Sequence, residues 1–332
     1  MRGPIARVRG IMHPEAFHGH GEKPPYFEGW YIKLVSADRT QRWAFIPGVF
    51  LGANGEHEAF VQVLNGGTGE ATYVKFDVSA FNASAETFSA AVGVNTFSTT
   101  GVHLELPELQ LNGDIRFGTP MQPWPVSALH PGIMDWYAWV PFMECYHGIV
   151  SFGHDLEGSI TVGGEHIDFT GGRGYIEKDW GQAFPAGYVW MHSNHFEGVA
   201  DASLIASVAI IPWVRSAFRG FIVGLYAGGK LYRWATYNGA KERELSITDS
   251  HVSWSMVGPD GTLRLEADRV RGGLLKAPMR TQMHKRVEET LDATIHVTLV
   301  DTNGTTIVDT TATCGGMEVV GDLGRLLAIN TR

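Results

Sequence analysis

Cysteine is nearly missing from this sequence. Two residues of 332, Cys145 and Cys314, carry a thiol, which excludes a disulfide framework and a four-cysteine zinc site. Runs of lysine or arginine are missing too, and 35 acidic against 26 basic side chains give a net charge of −9. Such a chain is, on average, a poor electrostatic partner for nucleic acid or anionic lipid. Long apolar runs are lacking: Leu204 to Val214 is too short to cross a bilayer and is broken by Pro212. The first dozen residues hold arginines without the apolar stretch of a secretory signal. Amphipathic helical patterns are scarce, and no fixed-period repeat suggests a propeller or solenoid. The string Gly171-Gly-Arg-Gly174 has neither the spacing nor the βαβ context of a nucleotide loop, so it reads as a turn. Neither G-x-S-x-G nor H-E-x-x-H occurs, which removes two hydrolase templates. His18 and His20 would share one side of an extended segment, but spacing nominates no third ligand, so no metal is expected. What is left is a globular, cytoplasmic protein with reduced thiols.

Glycine and tryptophan are plentiful. The 41 glycines sit mostly between short segments of alternating polarity, where turns need positive φ. Hairpins are expected around Gly163-Gly164, Gly228-Gly229, Asp260-Gly261 and Asn303-Gly304, and Asn112-Gly113 reads as a further turn. Residues Met1 to Pro25 read as irregular, and Thr281 to Leu291 fits a helix or a strand equally. More than a dozen short strands exceed what one small barrel uses. The expectation is therefore an all-β protein of two tandem β-barrel or sandwich domains with little helix, residues 1–175 and 176–332, changing over near Gly171 to Gly181. The 10 tryptophans fill wide sheet interiors in the plain reading, while their clustering also suits a large apolar or aromatic ligand.

Two segments combine acids with tryptophan inside apolar strands, where an unpaired charge is expensive. In Phe27-Glu-Gly-Trp-Tyr-Ile-Lys33, alternation puts Glu28, Trp30 and Ile32 on one face. In Gly174-Tyr-Ile-Glu-Lys-Asp-Trp-Gly-Gln-Ala-Phe-Pro185 it groups Tyr175, Glu177 and Asp179, and further on Trp190, His192, Asn194 and Phe196. Two readings follow. The acids are structural, with Glu177 paired to Lys33 or an arginine, or one is a neutral carboxylic acid facing an aromatic cavity.

These motifs make the chain resemble the tocopherol cyclase family. The likeness runs from Phe27-Glu-Gly-Trp-Tyr-x-Lys33 through Gly163-Gly-Glu-His-Ile-Asp-Phe169 and Glu177-Lys-x-Trp-Gly-x-x-Phe-Pro185. Trp190-x-x-x-Asn-x-Phe-Glu197, Lys276-Ala-Pro278 and Met317-Glu-Val-Val-Gly321 complete it, and Met143-Glu-Cys-Tyr-His147 is similar to bacterial relatives. The resemblance implies two lipocalin-like domains and cofactor-free closure of a prenylated hydroquinone, by protonation of an alkene and capture of the cation by the phenol oxygen. The string departs from plant members at Asp179, where they carry Asn, and at His192, where Gln is usual, so it does not carry the substrate across. An isoprenoid cyclase is accordingly expected, with a lipid-binding protein and an isoprenoid hydratase as alternatives. Glu177 is the first candidate acid, sharing a proton with Asp179, and Glu28 the second. Trp30, Trp180 and Trp190 would stabilise the cation. His192 or Asn194 would orient the hydroxyl, and Tyr146 and His147 join the substrate contacts. The expected partner is a hydrophobic small molecule such as a prenylated quinol, terpenoid or related lipid. Transient contact with a membrane surface stays open, and nothing fixes the oligomeric state.

Overall fold

The computed structural model describes residues 4–121 and 123–331. Strand makes up 60% and helix 8%, in two large antiparallel sheets. The chain divides into two compact units, Met1–Phe184 with Leu275–Lys285, and Pro185–Leu274 with Arg286–Arg332.

In the first unit a 12-stranded sheet wraps a core that includes Trp30, Ile32, Phe45, Phe97 and Ile176. At its centre the Tyr26–Val35 and Cys145–Val162 strands flank Arg173–Gly181. This places the two acid-bearing motifs side by side, with Trp30 opposite Lys178 and Tyr31 opposite Glu177. Gly181 closes the central strand at φ +150°, and a Cβ there would lie 2.3 Å from the Glu144 carbonyl oxygen. Only glycine lets the two strands approach so closely.

The second unit is an 11-stranded sheet around Val189, Met191, Trp234, Trp254 and Leu299. Its Gly187–Ser193 strand lies between Ser203–Trp213 and Thr306–Gly321.

The hairpins at Gly163-Gly164, Gly228-Gly229, Asp260-Gly261 and Asn303-Gly304 form as expected. Two local expectations need correction, and one left open is decided. Asn112-Gly113 lies inside the Leu111–Phe117 strand, and the turn falls earlier, at Pro107–Leu109 with Gln110 left-handed. Gly113 is needed instead for close approach: a Cβ would meet Ser159 O at 2.3 Å. Residues Pro4–Met12 form a helix, and the Met283–Val300 strand takes up the ambiguous segment.

Candidate functional site

The Arg173–Gly181 strand sorts its side chains to two faces, and the two carry different electrostatics. Lys178 turns toward the core of the first unit, where it and Glu28 are both fully buried and form an ion pair at 2.5 Å. The same ammonium meets His18 Nδ1 at 2.8 Å, donates to the Pro14 and Ala16 carbonyls, and lies 5.0 Å from the Trp30 ring centre and 4.7 Å from that of Trp180. Glu28 accepts from the backbone N–H of His18 with both oxygens, at 2.8 and 2.9 Å, and from the Tyr26 hydroxyl. His18 is fixed in turn by Nε2 donating to Gly10 O at 2.9 Å. Burial pushes the Glu28 carboxyl up, but the Lys178 charge and the bonds from His18 outweigh it and bring it down to about 2. The ion pair and the lowered carboxyl favour a structural partner over the expected second neutral acid. This set clasps the Pro14–His18 segment to the sheet.

Trp30 belongs to the same core. It is fully buried, stacks on Phe88 with ring centres 5.1 Å apart, and donates its indole N–H to Glu15 O at 3.0 Å. It packs against neighbours rather than presenting a face to a ligand. Trp180 is half-buried and stacks on Tyr146 at 5.5 Å, whose hydroxyl bonds Val140 O.

The other face carries Tyr175, Glu177 and Asp179, as alternation predicts, and brings His147 to them from the neighbouring strand, opposite Asp179. His147 Nδ1 stands 2.8 Å from Asp179 Oδ1, and Nε2 stands 3.5 Å from Glu177 Oε2. Tyr175 donates its hydroxyl to Glu177 Oε2 at 2.5 Å. Burial drives the imidazole toward the neutral form, yet the two carboxylates more than reverse this and hold His147 protonated up to about 9. Burial and the neighbouring Glu177 keep the Tyr175 phenol well above its ordinary range, so it remains a donor. Exposure is graded along the set: the side chains are 26% exposed at Asp179, 16% at His147 and 5% at Glu177. From the Tyr26–Val35 strand the residue opposite Asp179 is Gly29, so no side chain from that strand stands over the outer end. Lys33 lies on the same face, opposite Tyr175.

Three ligating atoms of His147, Glu177 and Asp179 also lie within 4.8 Å of one another. Nδ1 hydrogen-bonds Asp179, whereas the buried Nε2 stands 3.5 Å from Glu177 and makes no hydrogen bond, so Glu177 and His147 are coupled by charge and not by a hydrogen bond. Chemically, the set lines up a partly exposed carboxylate, an imidazole and a buried carboxylate.

Trp190, His192 and Asn194 belong to the second unit. Trp190 and His192 share the face turned away from that unit's core, with ring centres 6.3 Å apart. The strand breaks at Asn194, so Phe196 joins the core instead of sharing the face of Trp190. Sequence reading missed two acids here. Glu318 lies opposite Trp190 and Glu289 opposite Glu318, and Tyr188 donates to Glu318 at 2.5 Å. The signal for Glu318 was its place in Met317-Glu-Val-Val-Gly321; nothing local marks Glu289.

Comparison with known proteins agrees with this architecture. The chain is 21% identical to a probable chloroplastic tocopherol cyclase of Oryza sativa subsp. japonica, over 96% of this chain and 80% of that one. It is 24% identical to the chloroplastic tocopherol cyclase of Zea mays over 56% of this chain and 41% of that one. Among solved structures it is similar in fold to a putative AttH from Nitrosomonas europaea, with a TM-score of 0.52 and 12% identity over 89% of this chain and 92% of that one. It is likewise similar to CghA in its structure with Sch210972, with a TM-score of 0.55 and 10% identity over 90% and 89% of the two chains. The sequence model described as tocopherol cyclase-like matches residues 116–321, well over half of the chain and inclusive of His147, Glu177 and Asp179. The chain belongs to the tocopherol cyclase-like family.

Proposed function

We propose that this protein is a cofactor-free cyclase that closes a prenylated phenol by proton transfer, with Glu177 as the acid. The observation that carries this reading is the graded Asp179–His147–Glu177 set, which stands an imidazole between a partly exposed carboxylate and a buried one.

An alkene is a feeble base, so the step needs a strong, positioned acid in a dry place. Glu177 gives its proton to the less substituted alkene carbon, and the C=C π pair forms the new C–H bond. The resulting tertiary cation is captured by a lone pair of the phenol oxygen, forming the C–O bond. The phenolic proton then returns to the Glu177 carboxylate, so atoms and charge balance and nothing is oxidised or reduced. Tyr175 donates its hydroxyl to Glu177 Oε2 and orients the carboxyl. His147 and Asp179 keep the proton on Glu177 in exchange with solvent. The chain's place in the tocopherol cyclase-like family supports the reaction type, and the names of its rice and maize relatives support a prenylated substrate.

The test is to incubate the protein with a prenylated hydroquinone in deuterium oxide and, separately, in water enriched in heavy oxygen. Cyclisation places one deuterium in the chromanol product and no heavy oxygen. Heavy oxygen in the product identifies a hydratase, and binding without turnover identifies a carrier; either overturns the proposal.

A further inference from the structure

The first unit carries a cavity that lies apart from His147 and its carboxylates. It measures about 320 Å³, and its floor is apolar, made by Trp43, Val63, Leu111 and Val162. The first three belong to the buried core of the unit and Val162 packs against it, so the cavity opens directly onto the apolar interior. Val162 ends the Cys145–Val162 strand, far from His147 near its start. The Trp43 ring is held in place by Nε1 donating to Gln41 Oε1 at 3.1 Å.

Two acids, Glu70 and Glu108, complete the lining, and they come from turns well separated in the chain. Glu70 opens the Glu70–Phe76 strand, and Glu108 stands in the Pro107–Leu109 turn. Both are exposed, which puts them at the mouth. Among the described residues no lysine, arginine or histidine lines the cavity, and no ion pair reaches either carboxylate. Arg42 precedes Trp43 but alternates to the other face of the strand, and donates to Arg39 O at 2.9 Å. Both rims are fixed by hydrogen bonds of their own. Asn65 Oδ1 accepts from the Gly67 and Thr68 N–H groups at 2.9 and 3.3 Å, and the Glu70 N–H meets Thr68 Oγ1 at 3.2 Å. Across the mouth Gln110, left-handed at φ 48°, accepts from the Gly163 N–H at 3.2 Å. A cavity formed before its ligand arrives orders little chain on binding.

We propose that this cavity binds a small organic cation, an amine whose apolar body is a single ring or a short chain. The body lies against Trp43, Val63 and Leu111, and the ammonium sits at the mouth with Glu70 and Glu108. Size favours such a ligand over a long prenyl chain, since about 320 Å³ is at the small end of ligand sites. Charge selects the sign. An anion meets two carboxylates and no base, and a neutral ligand gains nothing from either. The net charge of −9 draws cations to the whole molecule without choosing a place, and the apolar floor supplies the choice.

The experiment is a titration of the full chain followed by ligand-observed NMR, with 2-phenylethylamine as the probe. 2-Phenylethanol and 3-phenylpropionate serve as its neutral and anionic counterparts. The amine should bind most tightly and the anion least, with amine binding weakened by salt. Glu70→Gln/Glu108→Gln should lower amine affinity about tenfold, and both positions are exposed, so the fold is spared. Thr72→Trp keeps both carboxylates but fills the cavity from its rim, and should abolish binding. Glu244→Gln/Asp249→Asn removes two exposed carboxylates of the second unit and should leave amine affinity unchanged. Absence of amine binding, equal binding of amine and anion, full affinity in Glu70→Gln/Glu108→Gln, or binding that survives Thr72→Trp would overturn the proposal. So would an equal loss in Glu244→Gln/Asp249→Asn, since the amine would then follow net charge alone.

Discussion

Glu177 and Lys178 are neighbours in the chain, lie on opposite faces of one strand, and meet the cost of a buried charge in two different ways. On the Lys178 side the set is closed. Ammonium, carboxylate, imidazole and phenol answer one another with both charges at zero exposure, and the ionised state of Glu28 is locked in. On the Glu177 side the set is open at one end, with exposure rising from Glu177 through His147 to Asp179, and the proton inventory can change. A buried charge pair contributes little net stability but is costly to break. A graded set gives up part of its burial to exchange protons. Both kinds of pairing occur within three consecutive residues, Glu177-Lys178-Asp179.

The largest expected effect breaks the closed side. Lys178→Met leaves Glu28 charged and buried alone, at a cost of about 3–5 kcal/mol in urea or thermal unfolding. Adding Glu28→Gln removes the stranded charge and should recover a substantial part of that loss. If Lys178→Met melts with the wild type, the clasp on Pro14–His18 does not hold the fold together.

A smaller effect distinguishes the two sides by pH. The Glu28 carboxyl is depressed from 4.5 to about 2 by folding. Its contribution is present above about 4.5 and is lost as the pH falls toward 2. His147 is raised from 6.5 to about 9, so its contribution is full below about 6.5 and is lost as the pH rises through 9. Urea midpoints measured from acid to alkaline pH should show both losses, and His147→Asn should abolish only the alkaline one, on the order of 2 kcal/mol. An alkaline slope unchanged in that variant would remove His147 from between the carboxylates.

Much of this arrangement is legible in the residue pattern, and where legibility stops the causes are physical. A period of two puts Tyr175, Glu177 and Asp179 on one face whatever the neighbours are, and paired glycines between alternating segments announce hairpins because few other residues take positive φ. Asn112-Gly113 misled because the same dipeptide that suits a turn also suits close packing of strands, and only the pairing with Ser159–Thr161 tells the two apart. The partnership of Glu28 with Lys178 depends on register between strands more than a hundred residues apart, and that of His147 with both acids on register between strands joined by a long connection; local pattern encodes neither. Family resemblance nominated His147 among the substrate contacts without giving it a role. Phe196 was misplaced because alternation was extended through Asn194, where the strand stops.

The measurement that bears most directly on the open side is Glu177→Gln, followed by melting temperature and turnover in the same preparation. Glutamine keeps the size and still accepts from the Tyr175 hydroxyl, but it has no proton to give. The account predicts a melting temperature within a few degrees of the wild type and turnover of the prenylated phenol lowered by at least ~100-fold, with substrate affinity little changed. Full activity in this variant, or a collapse in melting temperature like that of Lys178→Met, would show that Glu177 belongs to the scaffold and that the proton comes from elsewhere.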